Sequence, residues 1–430
     1  MDFHLNASSM NFHRHASAWT STGMHFHKFP PESLSSSSIP VPGPAASLLS
    51  ILETAGCCGP VLAPEVSVTV RRFDAGARLP CAGLMREPGT CTPAPTGPQQ
   101  RTWDADSDEA NMKDIVTLTV NPAIDISTTV KRVAPNRKLR CGPPRREPGG
   151  GGLNVSRALL RLGGDSLAFY TAGGPTGRML AQLLEEEGIS CRPLEREGWT
   201  RESLAVREEE EDDQYRFNLQ GPEMAEGEWK ACLEELAGLD PAPKFLVASG
   251  SLPPGVPTDF YARVAEVARD LEARLILDTS GDALKEGLEG GVFLVKPNLR
   301  ELASLTGGAV PEPEEDSDFE EEQADAAREL VERGKAEAVL VSMGSAGALL
   351  VTEDETERIP SPTVRIRSRV GAGDSMVAGV TLGLSRDFEL PRAALLGVAA
   401  GAAAVMTSGT ELCRRRDAEA IFRRMVDGSW

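Results

Sequence analysis

The stretch Val370-Gly-Ala-Gly-Asp-Ser-Met-Val-Ala-Gly379 sets a turn of small residues, Gly371-Ala372-Gly373, directly before a helix-prone run that opens near Asp374. Such a turn at a helix start aims several backbone N–H groups outward, and the helix dipole adds to their attraction for negative charge. The chemistry that suits it is the holding of phosphoryl oxygens during transfer. Asp374, in the same turn, either accepts a proton from an attacking hydroxyl or simply caps the helix. Spacing alone leaves both readings open.

Three further stretches carry weaker signals. Glu147-Pro-Gly-Gly-Gly-Gly-Leu-Asn154-Val-Ser-Arg157 allows close backbone approach to a ligand, yet flexible loops also use such runs. It is not the dinucleotide fingerprint, because no strand is read immediately before it and no acidic residue follows at the customary place. Asn154 either binds hydroxyls or caps a helix. Lys296-Pro-Asn298-Leu-Arg-Glu301 puts Asn298 and Glu301 on one face of a helical turn. The pair suits a hydrated Mg²⁺, and equally a capping box, which is the simpler reading of those residues alone. Val341-Ser342-Met343-Gly344-Ser345-Ala346-Gly347 is either a nucleotide-pocket turn or a plain β-turn.

Composition narrows the chemistry. All five His residues stand in the first 27 positions, so everything after His27 lacks imidazole. Ser-His and Cys-His nucleophilic catalysis and His-ligated metal are thereby excluded from the main body. A carboxylate becomes the natural general base. The net charge of −19 argues against nucleic acid as a partner. No apolar run is long enough to span a membrane, and Leu395–Met406 reads as a buried helix. The eight scattered Cys residues, with Cys57-Cys58 the only close pair, favour free thiols in a reducing cytoplasm.

The elements that must position these residues begin at Asp114. Residues 1–111 are rich in Ser, Pro, Gly and His, with 66–70 the only stretch read as a strand. They are expected to be a disordered extension, or sequence mis-assigned upstream of a start at Met112. From there strand patterns at 115–120, 166–171, 245–249, 275–278, 293–296 and 339–342 alternate with helical ones at 154–162, 180–187, 258–273, 282–289 and 323–334. That alternation implies a mainly parallel sheet covered on both faces. Two segments, 126–140 and 203–218, break the pattern as extended strands and suit a small second sheet. The acidic run Glu208–Asp213 reads as its hairpin tip, and 311–322 as an exposed acidic insertion.

Taken together and in this order, the motifs resemble the PfkB (ribokinase-like) carbohydrate kinases over roughly Ile115 to Met425. The finer likeness is to the PfkB-type 6-phosphofructokinases. It is carried by Lys138-Leu-Arg-Cys141, the glycine run to Asn154, Trp199-Thr-Arg201, Gln214-Tyr-Arg-Phe217 and Ser249-Gly-Ser-Leu-Pro-Pro-Gly255. The resemblance implies one α/β domain over 112–430. Its fold would be a ribokinase-like three-layer α/β/α sandwich with a mainly parallel central sheet and a small β-sheet lid. It also implies ATP-dependent phosphorylation of fructose 6-phosphate at the C1 hydroxyl, giving fructose 1,6-bisphosphate.

The same resemblance assigns roles. Asp374 would be the general base, with the amides of Gly371, Ala372 and Gly373 stabilising the transferring phosphoryl group. Lys296 and Asn298 would meet the ATP phosphates, and Ser342, Met343, Gly344, Ser345, Ala346 and Gly347 would line the nucleotide pocket. Glu301 would hold Mg²⁺ through water, and Ser368 and Val370 would lie beside a K⁺. Asp125, Gly151, Gly152 and Asn154 would bind sugar hydroxyls, while Lys138, Arg201 and Ser251 would bind the sugar phosphate. A homodimer through the lid is implied, with Lys138 reaching the neighbour's site.

Two departures from the family pattern stand near the K⁺ region: Arg369 in place of a small residue, and Glu411 in place of an arginine. The competing readings are 1-phosphofructokinase or tagatose-6-phosphate kinase, and, in a different class, a non-catalytic sugar or nucleotide sensor. A Rossmann oxidoreductase is the distant third.

Overall fold

The computed structural model describes residues 114–308 and 317–428. The expectations for 1–111, including the strand at 66–70 and the Cys57-Cys58 pair, lie outside the described residues.

The first elements in chain order are β1 (Ile115–Thr119), β2 (Ala123–Val130), β3 (Arg145–Gly149), α1 (Gly151–Arg161), β4 (Leu167–Ala172), α2 (Gly174–Glu186) and β5 (Ser190–Glu195). Next come β6 (Arg201–Glu208), β7 (Gln214–Asn218), α3 (Glu226–Ala237), β8 (Phe245–Ser249), α4 (Phe260–Asp270), β9 (Arg274–Asp278), α5 (Gly281–Gly287) and β10 (Val292–Val295). The last are α6 (Leu299–Thr306), α7 (Ser317–Glu332), β11 (Ala336–Ser342), β12 (Ala348–Thr352), β13 (Thr356–Ile359), α8 (Ala372–Ser385), α9 (Leu390–Val405) and α10 (Arg415–Val426).

Nine strands form the main sheet in the order β13-β12-β11-β10-β9-β8-β1-β4-β5. All neighbours are parallel except the β11–β12 and β12–β13 pairs. Alternate strand residues serve opposite faces, as a period of two requires. Val247 packs in the cluster with α1, α8, α9 and α10, whereas Leu246 and Ala248 pack in the cluster with α3, α4, α5, α6 and α7. Because both faces are covered, β1 and β8 read as unbroken buried apolar-rich runs. The fold is the expected three-layer α/β/α sandwich with a mainly parallel central sheet.

Helices α8 and α9 are buried almost all round, which fits their near-absence of charge. Their close approach depends on small residues: a Cβ at Gly379 would lie 2.7 Å from the Leu396 carbonyl oxygen, and one at Gly383 2.8 Å from Ala393 Cα. The two helices thus pack backbone against backbone.

The second sheet has the order β3-β2-β6-β7. Strands β2 and β6 run parallel in register over eight residues, and the outer pairs are antiparallel. Its strands correct the sequence reading in two places. The first lid segment is strand only to Val130; residues 131–144, with Pro135, Pro143 and Pro144, form none. The strand β3 then leads straight into the glycine run, where none was expected. Its composition, Arg-Arg-Glu-Pro-Gly, carries no apolar alternation, and Pro148 is tolerated because β3 is an edge strand. The acidic run does turn the β6–β7 hairpin. The acidic stretch read as an insertion enters α7 at Ser317, while 309–316 lie outside the described residues. Among the described residues no helix is long and apolar enough to cross a membrane.

Candidate active site

Helix α8 begins with Gly371 as its N-cap, at φ 74°, a left-handed conformation that favours glycine. No side chain caps the helix, so the amides of Ala372, Gly373 and Asp374 have no side-chain acceptor at the turn. Asp374 is therefore not the cap but the third helical residue. Its Oδ2 accepts a hydrogen bond from Asn154 Nδ2 at 2.9 Å. Burial pushes the Asp374 carboxyl up to about 7, with Asp278 and Asp125 adding to the rise while Asn154 and Lys296 oppose it.

Helix α1 faces α8 with a second uncapped start at Gly150, whose φ is 115°. A Cβ at Gly151 would fall 2.2 Å from Ser249 Oγ, so β8 and α1 meet only because that residue is glycine. Gly152 is buried, and a Cβ there would meet the Leu118 carbonyl oxygen at 2.5 Å. Its part is to seat α1 on β1. Leu153 N donates to Thr119 Oγ1, and Asn154 N donates to Gly150 O.

The lid contributes Asp125 and Arg201. A Cβ at Gly149 would sit 2.4 Å from the Asp125 carboxyl carbon, so glycine on β3 leaves room for the carboxylate. Burial raises the pKa of Asp125, while Arg201, Arg216 and Arg157 pull it down. Arg201 is held by Asn121: Nε donates to Asn121 Oδ1 at 3.1 Å, and Nη2 donates to the Asn121 carbonyl at 3.2 Å. Asn121 Nδ2 in turn donates to Ser251 Oγ at 3.2 Å. Asn121 is a residue that sequence reasoning missed. Its place directly after the strand read at 115–120 and shortly before Asp125 was the available signal.

At the other end, Lys296 is 6% exposed and pairs with Asp278, Nζ to Oδ1 3.0 Å. Burial disfavours its charge, yet Asp278, Glu301 and Asp374 outweigh that and hold its pKa high. Asn298 caps α6 and Glu301 completes a capping box: Asn298 Oδ1 accepts from the Arg300 and Glu301 amides, and Glu301 Oε2 accepts from the Asn298 amide. The capping reading holds for this pair. It leaves Glu301 Oε1 outside the box, and Glu301 lines the cavity. Ser342 N donates to the Pro297 carbonyl at 2.8 Å, which ties the 342–347 turn to this segment.

One cavity of about 900 Å³ unites most of these groups. Asp125, Gly151, Asn154, Arg201, Ser251, Asp278, Glu301, Val370, Gly371, Gly373 and Asp374 all line it. Arg216 and Arg369 line it as well. Lys138 lies in the exposed 131–144 segment and does not. Lys296 stands behind Gly373, with Nζ 3.5 Å from where a Cβ would be. Asn298 lines a neighbouring cavity of about 250 Å³ that shares Glu301. Ser342, Met343, Gly344, Ser345, Ala346 and Gly347 line neither cavity. Ala372 lines neither as well.

Among the described residues no group of three or more His, Cys, Asp or Glu side chains is arranged to hold a metal ion. A hydrated Mg²⁺ still fits, since that ion keeps several waters and binds through one or two carboxylates plus substrate phosphates. For a monovalent cation, the Ser368 hydroxyl is already engaged: it donates to Gly409 O at 2.7 Å and accepts from Val370 N at 3.2 Å. Glu411 departs from the family pattern without entering the cavity. It pairs instead with Arg414 at 2.8 Å and Arg161 at 3.9 Å.

Residues 115–417 match the model of the pfkB family carbohydrate kinases. The chain is 48% identical over 308 residues to ATP-dependent 6-phosphofructokinase isozyme 2 of Mycobacterium tuberculosis, covering 72% of this chain and 88% of that one. It is 40% identical over 309 residues to the enzyme of the same name from Escherichia coli, covering 72% and 97%. Phosphofructokinase-2 from Escherichia coli has been solved in complex with fructose 6-phosphate. That structure superposes with a TM-score of 0.67 at 39% identity, over 73% of this chain and 99% of that one. The same enzyme has been solved with potassium, at a TM-score of 0.68, and in a tetrameric inhibited form, at 0.67. The chain belongs to the pfkB family of carbohydrate kinases.

Proposed function

We propose that this chain transfers the γ-phosphoryl group of ATP to the C1 hydroxyl of fructose 6-phosphate, yielding fructose 1,6-bisphosphate and ADP. The observation that carries this reading is the convergence of Asp374, Asn154 and the uncapped start of α8 on the cavity that also holds Asp125 and Arg201. Arg201 offers a fork for the sugar phosphate, with Ser251 held beside it through Asn121. Asp125, Gly151 and Asn154 bind the sugar hydroxyls. Asp374 takes the proton from the C1 hydroxyl as its oxygen bonds to the γ-phosphorus and the bond to the ADP oxygen breaks. The amides at Gly371–Gly373 stabilise charge on the transferring group. Positioning and electrostatics do most of the work in such a transfer. A carboxyl held near 7 is matched to act as a base at neutral pH.

Lys296 and Asn298 serve the ATP phosphates, and Glu301 holds Mg²⁺ through water. Mg²⁺, when bound, neutralises charge on the phosphates. The turn at 342–347 borders the nucleotide from behind Pro297. A K⁺, when bound, would lie beside Ser368 and Val370. We also assign a homodimer through the lid, with Lys138 serving the partner's site. In support, Leu204 and Phe217 stand in register as an exposed apolar pair on β6 and β7, while Ser203 and Asn218 of the adjacent pair line the cavity. The free thiols of Cys141, Cys191, Cys232 and Cys413 fit the cytoplasm.

Initial rates with MgATP against fructose 6-phosphate, fructose 1-phosphate and tagatose 6-phosphate test the reading. Preference for fructose 6-phosphate, lost in Asp374→Asn, is expected. Preference for another sugar would move the substrate and keep the kinase. Silence on all three would overturn the assignment and favour a sensor.

A further inference from the structure

Arg157 does not line the cavity, yet it is bonded to a residue that does. The side chain is 1% exposed, and its guanidinium donates to Glu187 at 2.8 and 2.7 Å, to the Pro148 carbonyl at 2.7 Å and to Glu147 Oε1 at 3.3 Å. It also donates to Asn154 Oδ1 at 3.3 Å. The other end of the same amide, Asn154 Nδ2, donates to Asp374 Oδ2 at 2.9 Å.

A guanidinium carries donors only and an ionised carboxylate acceptors only, whereas a primary amide has one end of each kind. The Asn154 amide therefore has one orientation that satisfies both neighbours. Turned over, it would set NH₂ against the guanidinium and oxygen against the Asp374 carboxylate. The four anchoring bonds to Glu187, Pro148 and Glu147 keep the guanidinium itself from moving to suit.

We propose that Arg157 is a positioning residue: by fixing which end of the Asn154 amide faces Asp374, it makes Oδ1 of Asp374 the oxygen that takes the substrate proton. The inference rests on Asp374 acting as the base, as assigned above. With the amide N–H on Oδ2, a proton arriving on Oδ1 leaves that hydrogen bond intact before and after transfer. The other groups facing Asp374 act on it through charge: Asp278 on β9, Lys296 past β10 and Asp125 on β2. None of them selects between its two oxygens in the way a directed N–H does. Without Arg157 the amide is free to turn, and its oxygen then opposes the carboxylate and favours the protonated acid.

The alternative is that Arg157 only ties β3, α1 and the end of α2 together. The two differ in what they do to Asp374. The test is Arg157→Met, which cannot donate, beside Arg157→Lys, which keeps a donor. The readout is the carboxyl band of Asp374 in infrared spectra of the substrate-free enzyme across pH, assigned by its absence in Asp374→Asn. We expect an alkaline shift of about half to one pH unit in Arg157→Met, mostly recovered in Arg157→Lys. The pH limb of kcat should move with it. Arg157→Met leaves Glu187 without its cation and is liable to unfold. Arg157→Met with Glu187→Gln removes that unpaired charge and is measured in its place if so. A folded variant with an unchanged Asp374 titration overturns the proposal. A shifted band in an enzyme that phosphorylates none of the three sugars sustains it and sinks the functional reading instead.

Discussion

Lys296 and Asp278 form a buried ion pair, 3.0 Å from Nζ to Oδ1, directly behind the glycine turn that opens α8. The two come from the ends of neighbouring parallel strands, β9 and β10, in the crevice where an open α/β sheet presents its ligands. Asp278 holds the lysine charged despite its burial, and both raise or lower the proton affinity of Asp374 in opposite senses.

Replacing Lys296 by Met should thus act twice. It leaves Asp278 buried without its partner, a loss of about 3–5 kcal/mol of stability. It also withdraws the cation that offsets Asp278 beside Asp374, so the pH limb of kcat should move to higher pH. Replacing Lys296 and Asp278 together should restore much of the stability and none of the nucleotide affinity. Thermal melts and ATP titrations of the single and double variants check this. A single variant with wild-type melting and ATP affinity would refute the role given to the pair.

Arg201 gives a cleaner separation of binding from chemistry. Asn121 clamps its Nε and Nη2 with an amide oxygen and a carbonyl, a geometry that a lysine ammonium cannot reproduce. Arg201→Lys should raise KM for fructose 6-phosphate by about 10- to 100-fold, the range expected for a lost charge-assisted hydrogen bond. The kcat at saturation should change much less. An equal fall in kcat with KM unmoved would mean that Arg201 acts at the transferring phosphoryl instead.

The parallel strands from β1 to β11 were legible where their periodicity is strong: β1 and β8 are near-continuous apolar runs of the kind that parallel strands need. The outer strands β5, β12 and β13 were not read, because β5 and β13 are polar and half-exposed and β12 joins only through its antiparallel pairing with β11. The lid was only half legible. β2 and β6 alternate visibly, but β3 is charged and holds a proline and a glycine. It becomes a strand through its pairing with β2, which no local pattern announces. In the site, Asp374 and the glycine turn stood out by residue type. Asn121, Asp278 and Arg157 did not, because an asparagine past a strand, an aspartate at a strand end and an arginine in a helix are ordinary until the fold joins them. In the 342–347 turn one glycine has a local reason of its own: Gly347 sits at φ 98°, and a Cβ there would lie 2.1 Å from the Ile359 carbonyl oxygen.

Phe217 tests the lid. It is 51% exposed and faces Leu204 across the β6–β7 pair, with Tyr215 two residues before it. An exposed apolar row of this kind on an antiparallel pair is a surface for a partner. Phe217→Glu should convert the assembly to monomers in sedimentation velocity, and if Lys138 serves the neighbour's site, KM for the sugar phosphate should rise with dissociation. A wild-type chain that sediments as a monomer would dispose of the interface, as would a Phe217→Glu dimer of unaltered mass.

Asp374 links activity to stability with a definite sign. Its carboxyl is held at about 7 in the folded chain, against an ordinary value of 3.8. Between those values the folded state holds a proton that the unfolded state has released, so stability falls as pH rises through that window. Above pH 7 the carboxylate is ionised in both states, and the destabilisation is complete. A shift of this size corresponds to about 4 kcal/mol. Asp374 opens onto the cavity and is only half-buried, so solvent reduces the effect below that figure. Asp374→Asn should therefore match wild type in stability near pH 4 and exceed it increasingly up to pH 7, with a constant gap beyond. With Asp374 as the proposed base, the same variant should lose turnover by orders of magnitude, while wild-type kcat climbs through pH 7 to an alkaline plateau. Denaturant melts at pH 4, 6 and 8 settle the first part and a pH–rate profile the second. A variant no more stable than wild type at pH 8 would mean that Asp374 carries an ordinary acidity in the folded enzyme.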